Sequence, residues 1–142
     1  MPTLFSRIIQ GEIPGRFVWS DECCVAFLTI APLRPGHTLV VPRDEVGEWT
    51  DADDDLIAQL MVVAKQIGAA QKTAFDAPCA GLVIAGFEVP HLHLHVFPSW
   101  GIDDFDFANT NHDPDPAELD TAAEALRAAL RAAGHGDRLP TS

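Results

Sequence analysis

Apolar and polar positions along the 142-residue chain change period several times, and each change marks an element. Leu4, Phe5, Ile8 and Ile9 recur at helical spacing, with Thr3 as a cap before them and Gly11 after them. Residues 3–10 are therefore predicted to form a short helix. Pro14 and Gly15 turn the chain. Arg16-Phe17-Val18-Trp19 and Val25-Ala26-Phe27-Leu28-Thr29-Ile30 read as strands, with Ser20, Asp21 and Glu22 as the hairpin turn between them. A loop containing Pro32, Pro35 and Gly36 brings His37 to a third strand, Thr38-Leu39-Val40-Val41. Thr50 and Asp51 are expected to open a long helix, with Asp53, Asp54 and Asp55 in its first turn and Leu56, Leu60, Val63 and Ile67 as its buried stripe. Those carboxylates complement the helix dipole, a better account of them than a metal cluster. Gly81-Leu82-Val83-Ile84-Ala85 gives a fourth strand and Gly86-Phe87-Glu88-Val89 a turn. Residues 117–133 form a last helix, and the final residues are expected to fray.

The strictest pattern lies in Pro90-His91-Leu92-His93-Leu94-His95-Val96-Phe97-Pro98. Period two signals a strand, on which residues i, i+2 and i+4 share a face. His91, His93 and His95 should then point one way, and Leu92, Leu94 and Val96 into a core. Strands in blocks joined by short turns favour an α+β fold over βαβ units. The expected architecture is an antiparallel five-stranded sheet with one long helix, a short N-terminal helix and a C-terminal helix. The length suits one domain over residues 1–142, with 99–142 as a C-terminal loop and helix extension.

Composition narrows the partners. Apolar residues make up 47% and charged residues 21%, as in ordinary globular proteins. The net charge of -12 argues against nucleic acid, whose phosphates need a basic surface, and against anionic membranes. No run of about 18 apolar residues is present to span a membrane. The N-terminus lacks the basic-then-apolar pattern of a secretory signal. Cys23, Cys24 and Cys79 are odd in number and two are adjacent, which reads as reduced thiols in a cytoplasmic protein. Without a C-x-x-C pair, a structural cysteine zinc site is not expected.

The histidine row admits three readings: a polar edge strand facing solvent, a metal site, or phosphoryl chemistry. Two histidines at i and i+2 can share a zinc ion, but i to i+4 spans about 13 Å by strand rise. One ion with bonds near 2 Å cannot easily reach all three, although His37 offers a substitute ligand. No metal or cofactor is therefore expected. The third reading uses an imidazole that is mostly neutral and nucleophilic near neutral pH. Neighbouring imidazoles and the turn amides around Gly86 supply donors for phosphate oxygens. His112 and His135, near the last helix, are expected to be exposed and without a role.

The segment His91 to Phe97 resembles the signature of the histidine triad nucleotide hydrolases and transferases. Leu4-Phe5-Ser6-Arg7-Ile8-Ile9-Gln10-Gly11-Glu12-Ile13-Pro14 is similar to that family's opening helix. Ala26-Phe27-Leu28-Thr29-Ile30 and Pro35-Gly36-His37-Thr38-Leu39-Val40-Val41-Pro42 are similar to its second and third strands. The likeness covers about residues 4 to 98 and is greatest to the branch of histidine triad nucleotide-binding proteins. It implies hydrolysis at the α-phosphate of a nucleotide conjugate, with a purine mononucleoside phosphoramidate favoured and a dinucleoside polyphosphate or binding without turnover as alternatives. It implies His93 as the nucleophile forming a nucleotidyl-histidine, and His91 orienting it through its backbone carbonyl. His95 would contact the phosphate, with His37 beside the triad. Gly86 and Glu88 would help hold phosphate, and Leu4, Phe5, Ile8, Phe27 and Ile30 would line a base pocket. An ordinary core uses those same five residue types. A homodimer is implied as well.

Departures from the family pattern concern the sugar. Thr29 stands where an acidic residue commonly grips the ribose, and Ala85 near a common asparagine. Phe87 replaces a common glutamine, and no tryptophan follows Trp100.

Overall fold

The computed structural model describes residues 2–140. Its elements are α1 (Leu4–Ile9), β1 (Phe17–Ser20), β2 (Cys24–Leu28), β3 (Thr38–Pro42), α2 (Asp54–Phe75), β4 (Cys79–Val83), β5 (Leu94–Ser99) and α3 (Pro116–Ala132). The strands form one five-stranded sheet in the order β1-β2-β3-β5-β4, and every neighbouring pair is antiparallel. The fold is α+β, as the strand blocks require.

Alternation on the strands divides the sheet into two apolar faces. Ala26 and Leu28 of β2, Val40 of β3 and Leu94 and Val96 of β5 meet Leu60, Val63 and Ile67 of α2 and Leu126 and Leu130 of α3 in the larger core. Val25 and Phe27 of β2 and Leu39 and Val41 of β3 point the other way, where Phe5 and Ile8 of α1 cover them in a smaller core. The two long helices thus occupy one face. The short helix covers only part of the other, which leaves room for a site beside it.

Several boundaries differ from those expected. Trp49–Asp51 forms a separate 3-10 turn, because Ala52 and Asp53 then adopt extended backbone angles. The long helix therefore begins at Asp54, with Asp54 and Asp55 in its first turn. β4 lies two residues earlier than the apolar run suggested. β5 starts only at Leu94, so His91 and His93 precede the ladder. The β3–β5 pairing ends at Val40↔Leu94, two residues short of Pro42. Pro42 has no N–H to give, and its carbonyl is taken by the His91 ring, Nε2 to O 2.7 Å. At the other end β5 runs through Pro98, paired with Ala80 of β4. The β3 side is unpaired beyond Val96, so the missing N–H costs no ladder bond. Leu92, Leu94 and Val96 are nonetheless all 2% exposed, so the alternation survives where the ladder does not.

Candidate active site

Two pairs of histidines meet on the face carrying α1. The first pair is His37, directly before β3, and His95 on β5. Gly36 holds φ +90°, and a Cβ there would collide with the Phe75 ring, so only glycine makes this turn under α2. Gln71 of α2 fastens it by donating from Nε2 to the carbonyls of Gly36 (2.9 Å) and Val96 (2.8 Å). His37 follows at the start of β3, and His95 stands between Leu39 and Val83 in the sheet register. The Leu33 amide donates to His37 Nδ1 at 3.0 Å, so the proton of neutral His37 sits on Nε2. That Nε2 lies 3.0 Å from His95 Nδ1 and donates to it. His95 in turn carries its proton on Nε2. Burial, helped by the neighbouring His95, pushes the His37 pKa down to about 3. Burial, helped by His93, pushes His95 down to about 4. Both rings are neutral at physiological pH, each in one tautomer.

The second pair is His91 and His93, held outside the ladder. His93 Nδ1 donates to the His91 carbonyl at 2.8 Å, which leaves the lone pair on Nε2. Burial lowers the His93 pKa against the opposing pull of the His91 carbonyl and the Glu88 carboxylate. The His91 ring is fully buried. Its Nε2 donates to Pro42 O at 2.7 Å, so its Nδ1, 2.6 Å from Thr3 Oγ1, accepts from that hydroxyl. The His93 and His95 ring centroids are 4.9 Å apart, so the two pairs form one cluster.

Three phenyl rings wall the cluster, Phe97 of β5 lying 5.2 Å from His37 between ring centroids. Phe5 of α1 meets His93 edge-on at 4.9 Å and His91 at 5.9 Å. Phe107 meets His95 edge-on at 4.9 Å and His37 at 6.3 Å. Sequence reasoning missed Phe107, which lies in an irregular stretch with no periodicity. The stretch is nonetheless fixed. Asp104 accepts from the backbone amides of Trp100 (2.7 Å) and Gly101 (3.3 Å) and pairs with Arg34 at 2.7 Å. The Arg34 guanidinium also lies 4.7 Å from the Trp100 ring centroid. An aspartate three residues after a glycine was the one local signal of a turn there.

The other expected site residues fall into two groups. Phe5, Ile8 and Phe27 are buried in the smaller core, whereas Leu4 is 46% and Ile30 74% exposed. Thr29 turns its hydroxyl back to accept from the Ala31 amide at 3.1 Å. Gly86 adopts φ +80° in the connection before His91, and Glu88 is exposed there. His112 is exposed as expected. His135 is not: it is half-buried, 3.0 Å from Gln66 Oε1 and 5.4 Å from the Trp19 ring centroid. It closes the chain end onto α2.

The cluster does not suit a metal. His37 and His91 have both ring nitrogens engaged, and His93 and His95 each have Nδ1 engaged. Among the described residues no group of three or more His, Cys, Asp or Glu side chains could hold an ion. No helix among them is long and apolar enough to cross a membrane.

Fold and site together define a class: an antiparallel α+β sheet bearing a cluster of imidazoles oriented by hydrogen bonds. The chain belongs to the HIT domain family, whose model matches residues 10–101. An uncharacterized HIT-like protein of Borreliella burgdorferi is 36% identical over 115 residues, covering 76% of this chain and 83% of its own. A second, from Methanocaldococcus jannaschii, is 38% identical over 103 residues, covering 68% and 78%. Among solved structures, a Zn-bound histidine triad family protein from Mycobacterium smegmatis superposes with a TM-score of 0.80 at 29% identity, covering 94% of this chain and 96% of that one. A hypothetical histidine triad nucleotide-binding protein from Sulfolobus tokodaii gives 0.77 at 29% identity, covering 90% and 91%.

Proposed function

We propose that this chain hydrolyses nucleotide conjugates at the α-phosphate, with nucleoside phosphoramidates as its preferred substrates. The observation that carries the reading is the 2.8 Å bond from His93 Nδ1 to the His91 carbonyl, which reserves Nε2 for attack. The Nε2 lone pair forms a bond to phosphorus while the P–N bond to the leaving amine breaks, and the amine takes a proton from water. Water then adds to the nucleotidyl-histidine, and His93 leaves with its lone pair restored. His95, with its proton on Nε2, donates to a phosphate oxygen as charge builds. Amides of the turn at Gly86 add further donors. Phe5, Ile8 and Phe27 offer an apolar wall to the base, with Leu4 and Ile30 at its exposed rim. His37 acts through His95, whose tautomer it fixes.

The decisive measurement is intact mass after brief mixing with a nucleoside phosphoramidate. The wild type should carry a nucleotidyl adduct and release the monophosphate, and His93→Ala should do neither. Equal turnover by that variant would sink the assignment. A second reading, nucleotide binding with little turnover, draws on Thr29, whose hydroxyl already serves its own turn. It predicts saturable binding and no product. A dinucleoside polyphosphate substrate would use the same steps with a nucleotide as leaving group.

The same reading extends to a homodimer. β4 is an edge strand, with Leu82 39% exposed, and Met61 of α2 beside the groove along it is 44% exposed. A second copy pairing along β4 would cover both. Leu82→Lys should then give monomers in light scattering, and an unchanged mass would refute this contact.

A further inference from the structure

A second polar cluster lies behind His91, and the steps of the proposed reaction do not use it. Glu45, in the loop after β3, accepts through Oε1 from the Thr3 amide at 2.9 Å and from the Ser6 hydroxyl at 2.5 Å. Thr3 Oγ1 accepts from the Ser6 amide at 3.1 Å, which caps α1, and its hydroxyl donates to His91 Nδ1 at 2.6 Å. One carboxylate thus locks the cap of a helix, and the cap locks a buried imidazole. The same loop holds the backbone beside that imidazole, since the Val46 carbonyl accepts from the Leu92 amide at 2.6 Å.

A purely structural tie has no need to end on His91. It ends there on a ring fastened at both nitrogens, in the residue whose carbonyl accepts from His93. No ladder bonds restrain His91 or His93, which precede β5. Their placement therefore rests on these ties together with two backbone bonds, from the His91 amide to the Val89 carbonyl at 2.8 Å and from the Leu92 amide to the Val46 carbonyl. The same helix also carries Phe5, whose ring rests on His93. We propose that Glu45, acting through Ser6 and Thr3, is a positioning residue that fixes the His91 carbonyl and, through it, the Nδ1–H tautomer of His93. The inference rests on the assignment of His93 as nucleophile. Without a carbonyl to receive its Nδ1 proton, His93 would place that proton on Nε2 and block its own attack.

Two readouts on the full chain test it: turnover of a nucleoside phosphoramidate, and ring-nitrogen NMR of His93. Thr3→Val and Glu45→Ala should each lower kcat by about 10-fold or more, the usual scale for such outer groups. In both, His93 should shift from the Nδ1–H tautomer to a mixture. Thr3→Ser keeps the hydroxyl and Glu45→Gln keeps Oε1, so both should stay near wild type. A folded Thr3→Val or Glu45→Ala protein with the wild-type His93 tautomer overturns the inference, even if kcat falls. If Thr3→Val does not fold, Glu45→Ala decides alone, because the Thr3 hydroxyl remains. If the wild type shows no turnover, the hydrolase reading fails, while the NMR readout still judges the network.

Discussion

The two histidine pairs reach one cluster by opposite means. His37 directly precedes β3, where its carbonyl accepts from the Thr29 amide, and His95 lies in the neighbouring strand β5, so backbone pairing decides their spacing. Their mutual bond is ring to ring, and Gln71 and Gly36 brace it from the helix-covered face. His91 and His93 lie outside any ladder. They are bound ring to carbonyl, and the brace comes from α1 and the loop after β3 on the other face. The strand-borne pair is fixed by the fold itself. The loop-borne pair is fixed by side-chain hydrogen bonds together with the backbone bonds of the His91 and Leu92 amides. The reactive lone pair is assigned to the second pair, where orientation can be tuned separately from stability.

The largest test of this contrast removes one ring from each pair. His93→Ala should lower kcat by roughly 10⁴-fold, since no other group replaces the nucleophile. His95→Ala should still form the adduct, slowed by about 10²–10³-fold, the usual cost of one donor to a developing oxyanion. Similar losses in single-turnover rates for both variants would erase the division of roles. Gly36→Ala probes the strand-borne pair through stability. It forces a left-handed angle on alanine and drives Cβ into Phe75, at a cost of about 2–4 kcal/mol in urea unfolding. A midpoint unchanged from wild type would show that the turn relaxes freely.

Much of this was legible in the chain. Apolar runs between turn residues located the strands, strict alternation the histidine strand, and helical spacing and composition the helices; β2 and β3 are buried on both faces, so they alternate between two cores and not between core and solvent. The boundaries were less legible where hydrogen bonds outweigh periodicity. His91 to Phe97 reads as continuous strand, yet the His91 ring captures the Pro42 carbonyl and pairing starts only at Leu94. The four histidines were visible as candidates. Their tautomers were not, since these depend on Leu33 N–H and Thr3 Oγ1, which no spacing relates to them. Phe107 was hidden for the same reason: a turn built on Asp104 sets its place.

A smaller effect should appear in acid. The pKa values of His37 and His95 fall from 6.5 to about 3 and about 4 on folding. Below pH 6.5 the unfolded chain therefore binds more protons than the native one, and stability falls as pH falls. The decline should begin near pH 6.5 and persist toward pH 4. Between pH 5 and 6.5 most carboxylates are still ionised, so the histidines dominate the slope there. Urea midpoints over that window should drop steadily in the wild type and less steeply in His37→Gln. A flat wild-type profile would show that these rings charge as easily folded as unfolded.

The finest distinction concerns Phe107, the one wall of the cluster supplied by the segment after β5. Its ring sits edge-on to His95, the half-buried member of the strand-borne pair. Desolvation is the main cause of the lowered His95 pKa, and Phe107 supplies part of the apolar cover. Phe107→Ala admits water on that side and should raise the His95 pKa toward 6.5. Protonated His95 cannot accept from His37 at Nδ1, so the fixed donor geometry is lost when it charges. The His95 titration followed by ring-nitrogen NMR should therefore move up, with little change in the rate near pH 8. The His93 tautomer should stay at Nδ1–H, because the His91 carbonyl is held from the opposite side. A shift in that tautomer would mean that the two pairs are one mechanical unit. An unmoved His95 titration would mean that the sheet alone keeps His95 dry.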